Sequence, residues 1–369
     1  MAQQGPSNKV DQALAPLRER IDQLDRQLVR LLNERAKVVI DVGKVKHQEA
    51  SPIYAPDREH RVLEQVRQYN QGPLPDSCLT AIWRELMSGS FALEKPLRIG
   101  YLGPPGTFSH IVARKQFGAS VEYDPLVDIP AVFEEVARGH IDLGVVPIEN
   151  SIEGGVTTTL DAFLDTPLHI CAEVRINIHH NLLANIPLEK ITKVYSHPQP
   201  FAQCRRWLSA QLSQADRVPV ASTSRAAEQA AAEAGQGAAA IGSDLAAEIY
   251  GLKVLFAHIE DNQSNVTRFL VIGPDSPRPT GDDKTSIMFT TAHKAGALTG
   301  VLDVFSKHSL NLTHIDKRPS QRVNWEYYFF VDLEGHEQDG KVAAAVEEAR
   351  HHCLSMKVLG SFPRAQELL

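Results

Sequence analysis

Leu14, Leu17, Ile21, Leu24, Leu28 and Leu31 recur at intervals of three and four, and Val38, Val39 and Val42 carry the stripe onward. That spacing marks one face of an α-helix, and it predicts a single helix over about residues 10–47. Gly43 lies inside it, at a cost of about 1 kcal/mol against alanine. The stretch "SPIYAP" stops the helix. Asp57 opens a second helix with acidic residues in its first turn. "GPLPDS" ends that one, and a third runs to about Leu93. Two short helices cannot cover so long a stripe. The expectation is an all-α segment, residues 10–95, that pairs with a second copy through its first helix, in a homodimer or homotetramer.

The period changes after "EKP". Strand-like runs ("LRIGYL", "IDLGVVPIE", "KVYSHP", "AAAIGS", "VTRFLVIG") alternate with helix-like stretches such as "AVFEEVARG" and "RAAEQAAAEA". Alternation of this kind predicts an α/β unit with largely parallel strands over residues 96–275. A polar, proline-bearing linker follows at 276–284. The last segment, 285–369, reads strand 285–292, helix 296–308, strand 311–318, strand 323–333, helix 339–352 and strand 355–361. That βαββαβ order is ferredoxin-like.

Composition narrows the function. The chain has 369 residues, enough for two or three domains. No apolar run approaches the roughly 20 residues of a membrane span, and "MAQQGPSNKVDQ" lacks the basic and apolar regions of a signal peptide. Four scattered cysteines without a C-x-x-C fit a reducing cytoplasm. A net charge of −7 argues against nucleic acid as a partner. The pairs His179–His180 and His351–His352 are adjacent, which aims them apart, and no metal is expected. "RIGYLGPPGTFSH" (98–110) imitates two nucleotide motifs and satisfies neither. Leu102 stands where the dinucleotide fingerprint needs its second glycine, and no lysine follows Gly106. No cofactor is expected. The turn instead opens a helix, with Thr107 or Ser109 as cap, and a helix N-terminus accepts a carboxylate as readily as a phosphate.

In the first segment Arg35 and Lys46 are eleven residues apart, so they share a helix face about 16 Å apart along the axis. Arg18 lies about 100° round the helix and could join them only from a two-fold partner. Ser90 and Glu94 are i, i+4 neighbours. "LRERIDQLDRQLVRLLNERAKVVIDVGKVK" followed by "PIYAPDRE" resembles the helical chorismate mutase family. The resemblance implies that Arg18, Arg35, Lys46 and Arg58 bind the carboxylates and ether oxygen of chorismate, that Glu59 holds a hydroxyl, and that Ser90 lies at the pocket edge. Ala55 stands where many members have aspartate, and Glu94 where many have glutamine. A Glu94 kept protonated by burial would donate to the ether oxygen as that glutamine does.

"GPPGTFS", "PIENSIEG" and "TRF", with "YSHPQPFAQC", strongly resemble prephenate dehydratase, whose fold is two α/β lobes around a cleft. The implied catalytic donor is Thr267, assisted by Asn150, Ser151 or Gln203. Arg268 is implied to orient a carboxylate, and Thr107, Ser109, Glu149 and Ser196 to complete the substrate site. "KAGALTGVLDVFSKHSLNLTHIDKRPS" resembles the ACT regulatory domain of these dehydratases. Gly296, Ala297 and Leu298, with Asp316, Lys317, Arg318 and Pro319, fall where that family binds phenylalanine. The whole chain thus resembles the bifunctional mutase–dehydratases. The alternatives are a dehydratase whose helices serve only as a dimerisation arm, and a non-enzymatic binding module.

Overall fold

The structure, a computed structural model, describes residues 6–48, 52–320, 326–365 and 368. Three helices come first: α1 (Pro6–Gln48), α2 (Pro56–Tyr69) and α3 (Asp76–Glu94). α3 packs on α1 and on α2. Gly43 explains its own presence, because a Cβ there would lie 3.0 Å from Glu94 Cγ. It lets α3 approach α1 where Lys46 pairs with Glu94. Along the rest of α1 the stripe is bare: Leu17 is 61% exposed and Leu28 55%. Burying each such side chain is worth roughly 1.5–3 kcal/mol, and none of the described residues supplies that burial.

The α/β unit forms two lobes. The first holds β1 (Arg98–Leu102), α4 (Phe108–Phe117), β2 (Glu122–Leu126), α5 (Ile129–Ala137), β3 (Leu143–Asn150), β4 (Gly154–Gly155), α6 (Thr157–Ala162) and β5 (His169–Asn177). The second holds β6 (Asn181–Leu183), β7 (Lys193–Ser196), α7 (Pro198–Gln203), α8 (Arg205–Gln211), β8 (Asp216–Pro219), α9 (Thr223–Ala232), β9 (Ala238–Gly242), α10 (Asp244–Tyr250) and β10 (Val254–Phe256). β11 (Val266–Gly273) then returns to the first lobe and inserts between β3 and β5, in the order β2-β1-β3-β11-β5. The strands are more mixed than expected. β1 pairs in parallel with β2 and β3, but β11 runs antiparallel to both its neighbours. Its direction follows from the crossing, since the chain re-enters the first sheet from the far lobe.

The last unit is β12 (Asp283–Thr290), α11 (Ala297–Lys307), β13 (Leu312–Pro319), β14 (Tyr327–Glu334), α12 (Gly340–Arg350) and β15 (Ser355–Pro363), in the sheet order β13-β14-β12-β15. This is the expected βαββαβ arrangement; positions 323–325 of the expected third strand lie outside the described residues. Alternation gives the sheet two apolar faces. Ile287, Phe289, Val331 and Leu333 pack with α11 and α12, whereas Met288, Phe330, Leu359 and Phe362 join the core of the first lobe. At Gly360 any Cβ would overlap the backbone of Ile170 on β5. The last sheet is therefore welded to the lobe that carries β11, not strung from it by a linker.

Between α2 and β5 lies a small cavity of about 110 Å³ lined by Tyr54, Glu59, Arg84 and Glu173 among others. Burial pushes the Glu59 carboxyl up to about 7, with Arg84 opposing. An acid whose folded pKa is raised holds its proton more tightly when folded. Its contribution is present at low pH and is lost as pH rises through the folded value. Raising the pH from about 5 to about 8 is therefore expected to lower the melting temperature of the native chain more than that of Glu59→Gln; parallel profiles would contradict this. The bare stripe gives a second expectation. Leu24→Glu with Leu28→Glu lowers the mass seen in sedimentation equilibrium, and an unchanged mass would count against pairing through α1.

Candidate active sites

At the seam of α1 and α3, Arg35 Nη1 donates to Ser90 Oγ at 3.0 Å, and Lys46 Nζ donates to Glu94 Oε2 at 3.1 Å. Lys46 also donates to the Ile53 carbonyl at 3.1 Å. Its ammonium thus has one N–H left for a ligand. Lys46 and Arg58 line a cavity of about 720 Å³ together with Arg61, Lys95 and Arg278. The structure pairs Arg35 with Ser90 and Lys46 with Glu94, with Arg58 on the cavity that Lys46 shares. It does not bring Arg18 or Glu59 to them. Arg18 is exposed, 3.9 Å from Asp11, and seventeen residues of helix place it roughly 25 Å from Arg35. Glu59 follows Arg58 by 100° of helical turn, which carries its carboxyl into the small cavity beside Arg84 instead. Glu94 faces an ammonium, where sequence reasoning expected it to carry the donated proton itself.

The second candidate site is the cleft between the lobes, about 500 Å³. Thr267 on β11 and Asn150 on β3 face each other in register. The main chain fixes the Asn150 amide: its Oδ1 accepts from the Ile152 and Glu153 N–H groups at 3.0 and 3.2 Å. Nδ2 is left to donate twice, to Asn265 Oδ1 at 2.7 Å and to Thr267 Oγ1 at 2.8 Å. Because Thr267 Oγ1 accepts, its own proton is free to point at a ligand. Such a chain of bonds polarises each member.

Two ten-residue helices from opposite lobes begin at this cleft. Thr107 and Ser109 belong to the start of α4, Ser222 and Thr223 to the start of α9. Their unpaired N–H groups and dipoles favour anions. The Gly103–Ser109 turn is held from the second lobe: Ser243 Oγ donates to the Gly106 carbonyl at 2.8 Å, and Ser224 and Tyr250 hydroxyls donate to that of Pro105. Gly106, at φ 90°, is pressed against Ala246. Gln203 also lines the cleft, and its Oε1 pairs with His180 Nε2 at 2.7 Å. Burial holds the His180 pKa below its usual value.

Among the expected residues the cleft gathers Thr107, Ser109, Asn150, Gln203 and Thr267. Four others lie elsewhere. Ser196 is buried and donates to the Ile241 carbonyl. Ser151 is exposed and closes β3 onto β11, accepting from Val266 N–H at 3.0 Å. Glu149 and Arg268 point to the opposite face of the sheet, as neighbours of inward residues must. Arg268 is buried there, with Nε 2.8 Å from Glu173 and Nη2 2.6 Å from Asp332 of β14. Lys284 of β12 also reaches Glu173, at 2.9 Å. His314 of β13 lies 3.4 Å from Glu149 and holds its carboxyl below the usual range. As a result no lysine or arginine lines the cleft among the described residues. Sequence reasoning missed Asn265, His180 and the start of α9. Asn265 was within reach, since it shares the parity of Thr267.

In the regulatory unit Gly296, at φ 79°, caps α11; Ala297 is its first residue, and Leu298 packs on the core of that unit. Asp316–Pro319 end β13, with Asp316 and Arg318 turned toward the first lobe and Lys317 exposed, its ammonium 5.4 Å from the Tyr327 ring centre. His179, His258 and Glu260 form the one group of metal-type ligands close enough to share an ion among the described residues. The two rings stack 4.0 Å apart at 11°, so their in-plane lone pairs lie in separate, nearly parallel planes.

Family models match in chain order: chorismate mutase type II over residues 17–95, prephenate dehydratase over 99–277 and the ACT domain over 285–351. A bifunctional chorismate mutase/prephenate dehydratase from Stutzerimonas stutzeri is 45% identical over 359 residues, covering 95% of this chain and 98% of the relative. One from Aquifex aeolicus is 43% identical over 357 residues, with 95% and 98% covered. Among solved structures, prephenate dehydratase from Arthrobacter aurescens in complex with L-Phe superposes with a TM-score of 0.68 at 35% identity, over 73% of this chain and 90% of that one. No helix among the described residues is long and apolar enough to cross a membrane. The agreement extends through all three units in one order, and the chain belongs to the bifunctional chorismate mutase/prephenate dehydratase family.

Proposed function

We propose that the protein converts chorismate to prephenate at the α1–α3 seam and prephenate to phenylpyruvate in the interlobe cleft. The first step is a pericyclic rearrangement that needs neither nucleophile nor proton transfer. The protein has only to hold the folded conformer and meet the charge that grows on the ether oxygen. Arg35, Arg58 and Lys46 bind the carboxylates and the ether oxygen, and the N–H that Lys46 keeps after Glu94 and Ile53 is the donor at the oxygen. Arg18 completes the site from a second copy across the α1 stripe, in a homodimer or homotetramer. The arginine–serine and lysine–glutamate pairs favour this reading over one in which the helices are only an arm.

In the second step the bond from the ring to its carboxylate breaks. Carbon dioxide leaves, its former bonding pair makes the ring aromatic, and hydroxide departs from the ring carbon opposite. Hydroxide leaves poorly unless a donor assists it. Thr267, whose oxygen is already committed to Asn150, is that donor. This arrangement is the single observation that carries the proposal. The N-termini of α4 and α9 seat the two carboxylates without a formal positive charge. Phenylalanine binds the regulatory unit at Gly296–Leu298 and Asp316–Pro319 and lowers dehydratase activity; the protein works in the cytoplasm.

The test is a two-substrate assay, chorismate then prephenate, with and without phenylalanine. Thr267→Ala is expected to keep mutase activity and lose about 10²-fold or more in dehydratase kcat with little change in KM. Arg35→Ala is expected to do the reverse, losing about 10²-fold in mutase kcat/KM while dehydration continues. Near-normal dehydration by Thr267→Ala, or no turnover of chorismate by the native chain, would refute the corresponding half.

A further inference from the structure

β13 is the edge strand of the regulatory sheet, and its residues alternate between solvent and the first lobe. Ile315 and Lys317 are exposed. His314, Asp316 and Arg318 turn inward, and all three meet one stretch of the dehydratase, residues 149–161. His314 Nδ1 stands 3.4 Å from Glu149 Oε2. Asp316 lies so close over Gly155 that any Cβ there would overlap its Oδ2. Arg318 grips Asp161 of α6 with two parallel bonds, Nε to Oδ1 at 2.9 Å and Nη2 to Oδ2 at 2.7 Å. This bidentate pairing is the most geometrically demanding of the cation–carboxylate contacts.

The same stretch forms one wall of the cleft. Asn150, Glu153, Gly155 and Thr157 line it from the other side. Asn150 is the residue that orients Thr267, and its own orientation depends on the N–H groups of Ile152 and Glu153. One strand of the regulatory unit is thus fastened, at three successive inward positions, to the loop that holds the catalytic donor in place.

We propose that the inward face of β13 transmits effector binding to the cleft, with the Arg318–Asp161 pair as its principal contact. The inference rests on the reading of Asp316–Pro319 as part of the phenylalanine site. Effector and coupling contact then belong to the same short strand, on alternate residues. A ligand that draws on the outer residues or on the main chain of β13 displaces Arg318 as well, because a strand shifts as a unit. Asp161 and α6 follow, and the 150–157 loop leaves the position in which it aims Thr267. Inhibition requires only that the effector favour the strand position that mis-sets this loop. Asp161 neither lines the cleft nor belongs to the ACT unit, and measuring phenylalanine binding directly separates its effect on coupling from any effect through Arg318 on the effector site.

The experiment uses the full chain carrying Asp161→Asn. Three quantities are compared with the native protein: prephenate turnover without effector, direct binding of labelled phenylalanine by equilibrium dialysis, and the phenylalanine concentration that halves turnover. The expected result is turnover within about threefold of native, phenylalanine still bound, and a half-inhibitory concentration raised about tenfold or more. Asp161→Glu, which keeps the charge, should recover part of the inhibition. Native-like inhibition of Asp161→Asn would overturn the inference while leaving the sensor reading intact. So would an Asp161→Glu that melts like native yet responds no better than Asp161→Asn. A native chain that neither binds nor responds to phenylalanine would remove the sensor reading, and the inference with it.

Discussion

The period-two alternation of β3 and β11 is the constraint on which the rest of the dehydratase unit depends. The two strands pair so that Thr267 lies opposite Asn150 and Arg268 opposite Glu149. Successive side chains of a strand leave on opposite faces. One pair must therefore face the cleft and the other must face away. The outward pair meets the regulatory sheet, where Arg268 joins Glu173, Asp332 and Lys284 in a buried network. Removing one partner from such a network costs about 3–5 kcal/mol, because a buried charge is left uncompensated. The strand that carries Thr267 thus forms, with its next residue, the interface to the ACT unit.

This division has a chemical consequence in the cleft. With Arg268 turned away, the cleft presents helix N-termini, hydroxyls and amides beside the Glu153 carboxylate, and no lysine or arginine among the described residues. Such neutral donors stabilise charge without themselves having to be neutralised. The α1–α3 seam, to which we assign the mutase reaction, takes the opposite course and holds Arg35, Lys46 and Arg58 on or beside exposed helix surface. The contrast follows the two reactions. One develops charge on an ether oxygen, where a nearby cation helps; the other must release hydroxide, where a positioned proton matters most.

Much of this was legible in the sequence. The switch from helical to strand spacing near Lys95 separates the first unit from the second, and the βαββαβ order of the last unit reads directly from alternation. Motif resemblance located Asn150 and Thr267, and the spacing of Arg35 and Lys46 placed both on α1. The errors share a physical origin. The resemblance implies Glu149 and Arg268 beside Asn150 and Thr267, but neighbouring strand residues cannot share a face, so these two lie on the other side of the sheet. Glu59 was misplaced for the helical equivalent of that reason, one residue being 100° of turn. The start of α9 and His180 carried no local signal; only the folding of one lobe over the other brings them to the cleft. The antiparallel course of β11 was likewise hidden, since it arises from a return crossing between lobes.

The most direct measurement of this account is a crystal structure of the full chain with a non-reactive prephenate analogue. Thr267 Oγ is predicted within hydrogen-bond distance of the analogue's ring hydroxyl, with Arg268 still paired to Glu173 and Asp332. An analogue carboxylate bound by the Arg268 guanidinium, with Thr267 out of reach, would contradict it.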